Sequence, residues 1–105
     1  MEPDGVKTMS SYERTQCLKT LIRIEEDLRF CETAVTSGSR LELAHETLIA
    51  LADELEVLRN RALKPMDRIR LEKDHHLTKV LLYHAKDRLE AQYRDQEKFL
   101  SHSRR

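Results

Sequence analysis

Residues 41–62 read LELAHETLIALADELEVLRNRA, and this stretch decides the fold. Its apolar residues recur at steps of three and four without interruption, the spacing that places side chains on one face of an α-helix. The row consists of Leu41, Ala44, Leu48, Leu51, Leu55, Leu58 and Ala62. The sequence therefore predicts an amphipathic helix over about residues 40–64.

The same helix carries a second apolar row. Leu43, Ala50 and Val57 are spaced seven residues apart. At 100° per residue they lie roughly 130° around the helix from the first row, and Ile49 widens this apolar surface. A helix that is apolar on two faces is expected to pack against neighbours on both.

A similar row upstream predicts another helix over about residues 11–36. The row consists of Cys17, Leu21, Ile24, Leu28, Cys31 and Val35. Gly38 can adopt the left-handed conformation that ends a helix, and Ser39 with Glu42 has the spacing of a capping box at the start of the next one. So short a link predicts that the first two helices fold back antiparallel.

Pro65 suits the first turn of a third helix, because the N–H that it lacks has no partner there. A turn before this helix is expected, with a kink in one continuous helix as the alternative. The third helix is predicted over about residues 66–100, and its extra length leaves an overhang of about 15 Å. Its apolar stripe is predicted to centre on Ile69, Leu77 and Val80.

Composition and length favour one small helical domain. Ala, Glu, Lys, Leu and Arg make up 54 of the 105 residues, a bias typical of long helices and coiled coils. Residues 1–10 are predicted to form a flexible leader, 11–100 a single helical domain and 101–105 a frayed tail. The predicted fold class is all-α: an antiparallel helical hairpin extended to a three-helix bundle or coiled-coil assembly, with a long third helix.

Charge and hydropathy argue against several classes of function. The 19 acidic and 19 basic side chains cancel, which removes the overall field that a dedicated nucleic-acid or anionic-membrane binder usually carries. No apolar run reaches the roughly 18 residues of a membrane span, and residues 1–5 lack the apolar segment of a secretory signal. We expect an intracellular protein, cytoplasmic or nuclear, whose Cys17 and Cys31 stay reduced.

The sequence lacks the motifs of common enzymes. Gly38 is the only glycine inside the helical region, and no Gly-Lys-Ser/Thr follows it, so a phosphate-binding loop cannot be assembled. The Ser, Cys, His and carboxylate residues match no recognised nucleophile motif. We therefore expect no enzymatic activity and no cofactor.

Two groups of residues have the side chains of possible metal ligands. Glu-x-x-His motifs at residues 42–45 and 72–75 are typical of di-iron helices, but in an antiparallel pair they would lie roughly 13 Å apart in depth. Cys31, His45 and His84 would fall at similar heights, yet Cys31 belongs to the apolar row and a fourth zinc ligand is missing. The expectation is that the chain binds no metal.

The surplus of apolar helix surface predicts packing against another protein. Residues 77–85 are apolar almost all round and need cover on more than one side, although the middle helix could instead use both its apolar faces inside the domain. We expect a non-catalytic interaction subunit or adaptor that joins a larger helical or coiled-coil assembly, as a homodimer or in a hetero-complex. The predicted partner-binding residues are Leu77, Val80, Leu81, Tyr83, Leu89, Tyr93, Phe99 and Leu100. In composition the chain resembles the small coiled-coil subunits of tethering, chromosome-associated and cytoskeletal complexes.

A basic segment supports an alternative function. Residues 59–73 combine two acidic residues with six basic ones: Arg59, Arg61, Lys64, Arg68, Arg70 and Lys73. Placed around the second turn, they could contact phosphate or an acidic partner, as in a nucleic-acid-binding accessory protein. No aromatic residue lies between these charges to stack against a base. Nucleic-acid binding is therefore the second hypothesis, after protein interaction.

Overall fold

The computed structural model describes residues 10–103, with side chains from residue 10 to residue 97. It contains three helices: α1 (Ser11–Ser37), α2 (Leu41–Arg59) and α3 (Pro65–Ser103). Each helix packs against the other two. The described part of the chain is therefore all-helical, as predicted, and Pro65 starts a new helix after a turn at residues 60–64.

One apolar core lies between the three helices. The apolar rows of α1 and α2 supply most of it, which confirms these two rows as inward-facing. The buried members are Leu21, Ile24, Leu28, Cys31 and Val35 from α1, and Leu41, Ala44, Leu48, Leu51, Leu55 and Leu58 from α2. Ala62 is exposed because α2 has already ended at Arg59.

The buried face of α3 does not coincide with its predicted apolar stripe. Ile69 is 68% exposed and Val80 37%, so the predicted stripe centre does not face inward. The buried residues of α3 are Asp67, Leu71, Asp74, His75, Thr78, Leu81, Ala85 and Leu89. Half of this face is polar, which is why apolar periodicity pointed to another side of the helix.

Polar contacts compensate for part of this burial. The Arg14 Nε donates to Asp67 Oδ2 over 3.0 Å, which joins the beginnings of α1 and α3. The Thr78 hydroxyl donates to the backbone carbonyl of Asp74 over 2.8 Å. The Oδ2 of Asp74 is buried without a hydrogen-bond partner. Asp74 is thus the one buried side chain of the described residues with an unmatched polar atom.

Side chains of α3 cap the carboxyl end of α1. Arg88 donates through Nη1 to the carbonyls of Val35 and Thr36, at 2.6 and 3.0 Å, and Gln92 donates to the carbonyl of Gly38 at 3.1 Å. Gly38 has a φ of 75°, and a Cβ there would approach Arg88 Nη2 to 2.6 Å. The left-handed backbone favours glycine here, and a side chain at this position would displace the Arg88 guanidinium from the carbonyls that it caps.

The predicted capping box at the start of α2 is wrong. Arg40 is the N-cap residue, with a φ of 55° and no side-chain cap hydrogen bond. The Ser39 hydroxyl instead bonds the Ser37 hydroxyl over 2.9 Å. Glu42 accepts from the Tyr93 hydroxyl over 2.7 Å, so this carboxylate ties α2 to α3.

The ends of the elements differ from the predicted limits. α2 stops five residues before residue 64, where Arg68 donates to the carbonyls of Arg59 and Arg61. α3 continues to Ser103 through residues 101–103 of the predicted tail, since neither glycine nor proline follows Pro65. The leader lies outside the described residues except for Ser10, which caps α1 by accepting from the Glu13 amide.

Candidate protein-interaction surface

A second heptad-like row runs along α3 on the side opposite the core. Its residues alternate steps of three and four, and at 100° per residue they lie roughly 175° from the buried row. All ten are exposed. We call them the outer row of α3: Met66, Ile69, Lys73, His76, Val80, Tyr83, Asp87, Glu90, Arg94 and Glu97.

The apolar members of the outer row form two pairs. Met66 and Ile69 lie at the start of α3, and Val80 and Tyr83 lie near its middle; Tyr83 is 72% exposed. Lys73 and His76 separate the two pairs. Isolated exposed apolar residues are ordinary on protein surfaces, but a row with helical spacing on one face is typical of a surface for another helix.

The predicted partner-binding residues fall into two groups. Val80, Tyr83 and Tyr93 are exposed, whereas Leu81 and Leu89 are only 6% and 9% exposed and belong to the core of the chain itself. These two were misassigned because the inner row of α3 contains polar residues, and its leucines therefore did not stand out as a row.

The remaining predicted residues lie elsewhere. Leu77 is half-buried against the core and lines a groove of about 280 Å³ between α1 and α3. Phe99 and Leu100 lie in α3, outside the residues whose side chains the structure describes. Met66 and Ile69, the remaining apolar members of the outer row, were not among the predicted partner-binding residues, although Ile69 was placed in the apolar stripe of α3.

A second apolar surface lies along α1 and α2. Leu43, Ala50 and Val57 are exposed, so the alternative that α2 uses both its apolar faces inside the domain is wrong. Val57 and Tyr12 line an open groove of about 380 Å³ between the beginning of α1 and the end of α2. This surface is interrupted by the ion pair between Arg23 and Glu54, which makes it less continuous than the outer row.

Half of the basic segment is engaged inside the chain. Arg59 donates to Glu72 over 2.8 Å, Arg68 to two backbone carbonyls, and Arg70 to both carboxylate oxygens of Glu25. These contacts hold the three helices together at the end that contains the second turn. The net charge available there to a phosphate or an acidic partner is correspondingly lower than the sequence suggested.

A pair of carboxyl groups lies between α1 and α3, one from buried Asp74 and one from partly exposed Glu25. Asp74 is 8% exposed, and its burial, together with the hydrogen bond and negative charge of Glu25, raises the pKa of its carboxyl group to about 7. Hydrogen bonds from Arg70 lower the pKa of Glu25 despite partial burial. The raised pKa of Asp74 beside the lowered pKa of Glu25 favours a neutral Asp74 next to an ionised Glu25 below about pH 7.

Cys31 is a structural thiol. It is fully buried, and its Sγ lies 3.7 Å from the carbonyl oxygen of Ala44 as a weak donor. Burial, with a smaller effect of the negative Asp27, raises the pKa of this thiol to about 11. Across the described residues, no three His, Cys, Asp or Glu side chains are grouped so that they could hold a metal ion.

We expect Cys31 to resist alkylation in the folded protein. A pKa about two units above its ordinary value lowers the thiolate fraction at neutral pH about 100-fold, and burial slows access further. Timed labelling followed by mass spectrometry should show one modified thiol, the half-exposed Cys17. In denaturant both cysteines should react, and equal labelling rates in the folded protein would contradict the burial of Cys31.

Within residues 10–103, none of the helices combines the length and the apolar character that crossing a bilayer requires. No protein-family model, curated protein or solved structure matches the chain.

Proposed function

We propose that the chain is a non-catalytic protein-interaction subunit whose α3 packs against a helix of a partner in a larger helical assembly. The observation that supports this most directly is that the four apolar members of the outer row are exposed at helical spacing on the face of α3 turned away from the core. A helix that only covers its own core needs apolar residues on its inward face alone. α3 carries them on both faces.

The projecting end of α3 adds to this argument. Arg88 and Gln92 contact the turn between α1 and α2, so residues 94–103 extend past the other two helices by about 15 Å. An isolated helical end of this length is marginally stable in water. Contact with a partner along the outer row would extend onto this segment and stabilise it.

Replacing Ile69 and Tyr83 together by aspartate should abolish association. Both residues are exposed, so the substitutions should leave the fold intact at a cost of about 1 kcal/mol in helix propensity. The measurement is the size of the native complex in extracts of cells that express the chain, by gel filtration with detection of the chain.

Ile22→Asp provides the matched control. Ile22 is an exposed apolar residue of α1, away from the outer row, and its replacement should leave the complex size unchanged. Circular dichroism should show the same helicity for all variants. A wild-type chain that elutes as a monomer, or a double variant that elutes with the wild type, would contradict the proposal.

Nucleic-acid binding by the basic segment is the weaker candidate. Arg61, Lys64 and Lys73 are the members of that segment without a hydrogen bond or ion pair from their side chains within the described residues. No contact or charge among the described residues favours nucleic-acid binding over helix packing.

A further inference from the structure

We propose that the partner of α3 is a second copy of this chain, packed antiparallel along the outer row about a two-fold axis between Val80 and Tyr83. This inference rests on the proposed function and specifies its partner. It is carried by the order of apolar and charged residues along the row, which is complementary to itself when reversed.

An antiparallel pair of helices aligns steps of three and four only when the axis falls between two members of the row. With the axis between residues 80 and 83, Val80 packs against Tyr83 of the second copy, and the symmetry repeats this contact. The next layers bring His76 to Asp87 and Lys73 to Glu90. Basic and acidic side chains therefore meet on both sides of an apolar centre.

The outermost layers are also compatible. Ile69 meets the aliphatic stem of Arg94, whose guanidinium can extend to solvent. Met66 meets Glu97 at the edge of the contact. The row from Met66 to Glu97 covers 32 residues, or roughly 46 Å of helix, which is long enough for the minimum of three to four heptads that helix pairing of this kind requires.

Other arrangements place unfavourable neighbours together. Shifting the axis to lie between Tyr83 and Asp87 puts Val80 against Glu90 and His76 against Arg94. Shifting it the other way puts Ile69 against Asp87. A parallel pair brings each residue to its own copy, so that Lys73 meets Lys73 and Glu90 meets Glu90, and like charges repel.

The charged residues of the outer row are free to make these contacts. Lys73, His76, Asp87 and Glu90 form no hydrogen bond or ion pair within the described residues. By contrast, Arg14 of α1, which lies beside the core, is paired with the carboxylate of Asp67 in α3. The two-fold arrangement supplies each of these four side chains with a neighbour from the second copy, Lys73 with Glu90 and His76 with Asp87.

The contact should be reversible, because only four of the ten residues that each copy contributes are apolar. Small and partly polar interfaces belong to the weak end of the range of protein association. We therefore expect dimers that dissociate on dilution, and weaken with salt because exposed ion pairs are screened.

Exchanging the charges of Lys73 and Glu90 tests the arrangement. Lys73→Glu places two acids opposite each other twice per dimer, and Glu90→Lys places two bases opposite each other twice. Each single variant should raise the dimer dissociation constant about 30-fold. The double variant restores opposite charges with inverted polarity and should dimerise within about threefold of the wild type.

Mixing the two single variants gives the most specific test of the two-fold arrangement. A Lys73→Glu chain and a Glu90→Lys chain together form two favourable pairs, so their equimolar mixture should dimerise like the wild type while each alone does not. Sedimentation equilibrium over a concentration series of the purified full chain gives all the constants. Lys73 lies next to the buried Asp74, so Lys73→Glu could lower the stability of the fold. In that case the Glu90→Lys variant alone tests the arrangement.

The outcomes separate this inference from the proposed function. Single variants that dimerise like the wild type, or a mixture that stays monomeric, overturn the two-fold arrangement. A purified wild type that stays monomeric, while the native complex is lost on replacing Ile69 and Tyr83, overturns the second copy as partner and keeps the interaction function. If neither the charge variants nor the replacement of Ile69 and Tyr83 weakens association, both the second copy as partner and the interaction function are overturned.

Discussion

Replacing Leu48 by alanine is expected to lower the free energy of unfolding by about 3 to 4 kcal/mol. Leu48 is fully buried near the middle of α2, where its side chain faces the core shared by all three helices. Removing it leaves a cavity that the surrounding residues fill only in part. For a domain of this size the midpoint of thermal unfolding should fall by roughly 15 to 25 °C, measured by circular dichroism.

Leu43→Ala is the matched control for this measurement. Leu43 lies in the same helix but is half exposed, and its loss should cost no more than about 1 kcal/mol. Both variants keep the same helix propensity change from leucine to alanine, so the difference between them reports the cavity. Equal losses of stability would show that the Leu48 row does not face the core.

The sequence was sufficient for α1 and α2 because their inward rows are apolar throughout. Each buried position of α2, from Leu41 to Leu58, belongs to the predicted row. Helix length, spacing and breakers at Gly38 and Pro65 are all local features. Such features determine where a helix lies and which of its faces is buried, provided that the buried face is also the most apolar one.

In α3 the buried face is not the most apolar one. Its inward row includes Asp67, which is stabilised by Arg14, and these two residues are 53 positions apart in the chain. Periodicity cannot reveal a partner at that distance. The exposed Val80 and Tyr83 were predicted as partner-facing residues, but the outer row as a whole becomes visible only when the inner row is known.

The caps show the same limit. The amide of Glu13 donates to the Ser10 hydroxyl over 3.1 Å, and the Ser-x-x-Glu pattern at this position was a readable signal. The same pattern at Ser39 and Glu42 is not used, since Arg40 and not Ser39 is the N-cap residue of α2, and Glu42 accepts from Tyr93 of α3 instead. Arg88, which caps the end of α1 from 52 residues away, leaves no local pattern in the sequence.

Asp74 should make the stability of the protein depend on pH. The folded chain binds a proton at Asp74 up to about pH 7, whereas the unfolded chain releases it near the ordinary value of 3.8. A raised carboxyl pKa costs nothing at acid pH, where both states are protonated. The cost grows as the pH rises toward 7, because only the unfolded state gains from ionisation.

Glu25 acts in the opposite direction and in a lower range. Its pKa is lowered by Arg70 from an ordinary value of 4.5, so its stabilisation is complete above that value and is lost as the pH falls through the lower folded pKa. Between about pH 5 and pH 8 it contributes a nearly constant amount. Of this pair, only Asp74 therefore changes the free energy of unfolding between about pH 5 and pH 8. Arg70 and Lys73 are the neighbouring positive charges, and both act to lower its pKa.

The wild type is thus expected to lose about 3 kcal/mol of stability at Asp74 as the pH rises from about 5 to 8. Asp74→Asn should remove this loss. The asparagine amide can donate to Glu25 at every pH, as the protonated acid does, and it carries no charge to bury. Urea unfolding of both chains at the two pH values gives the four free energies required.

Asp95→Asn, in the projecting and exposed end of α3, controls for the loss of one negative charge and should retain the wild-type dependence on pH. All other ionisable groups are common to the chains compared, so their contribution cancels when the variants are compared. The difference between Asp74→Asn and the wild type should grow by about 3 kcal/mol toward high pH, in favour of the variant. A constant difference would mean that Asp74 is ionised in the folded protein, and that the contact between α1 and α3 holds two negative charges rather than a shared proton.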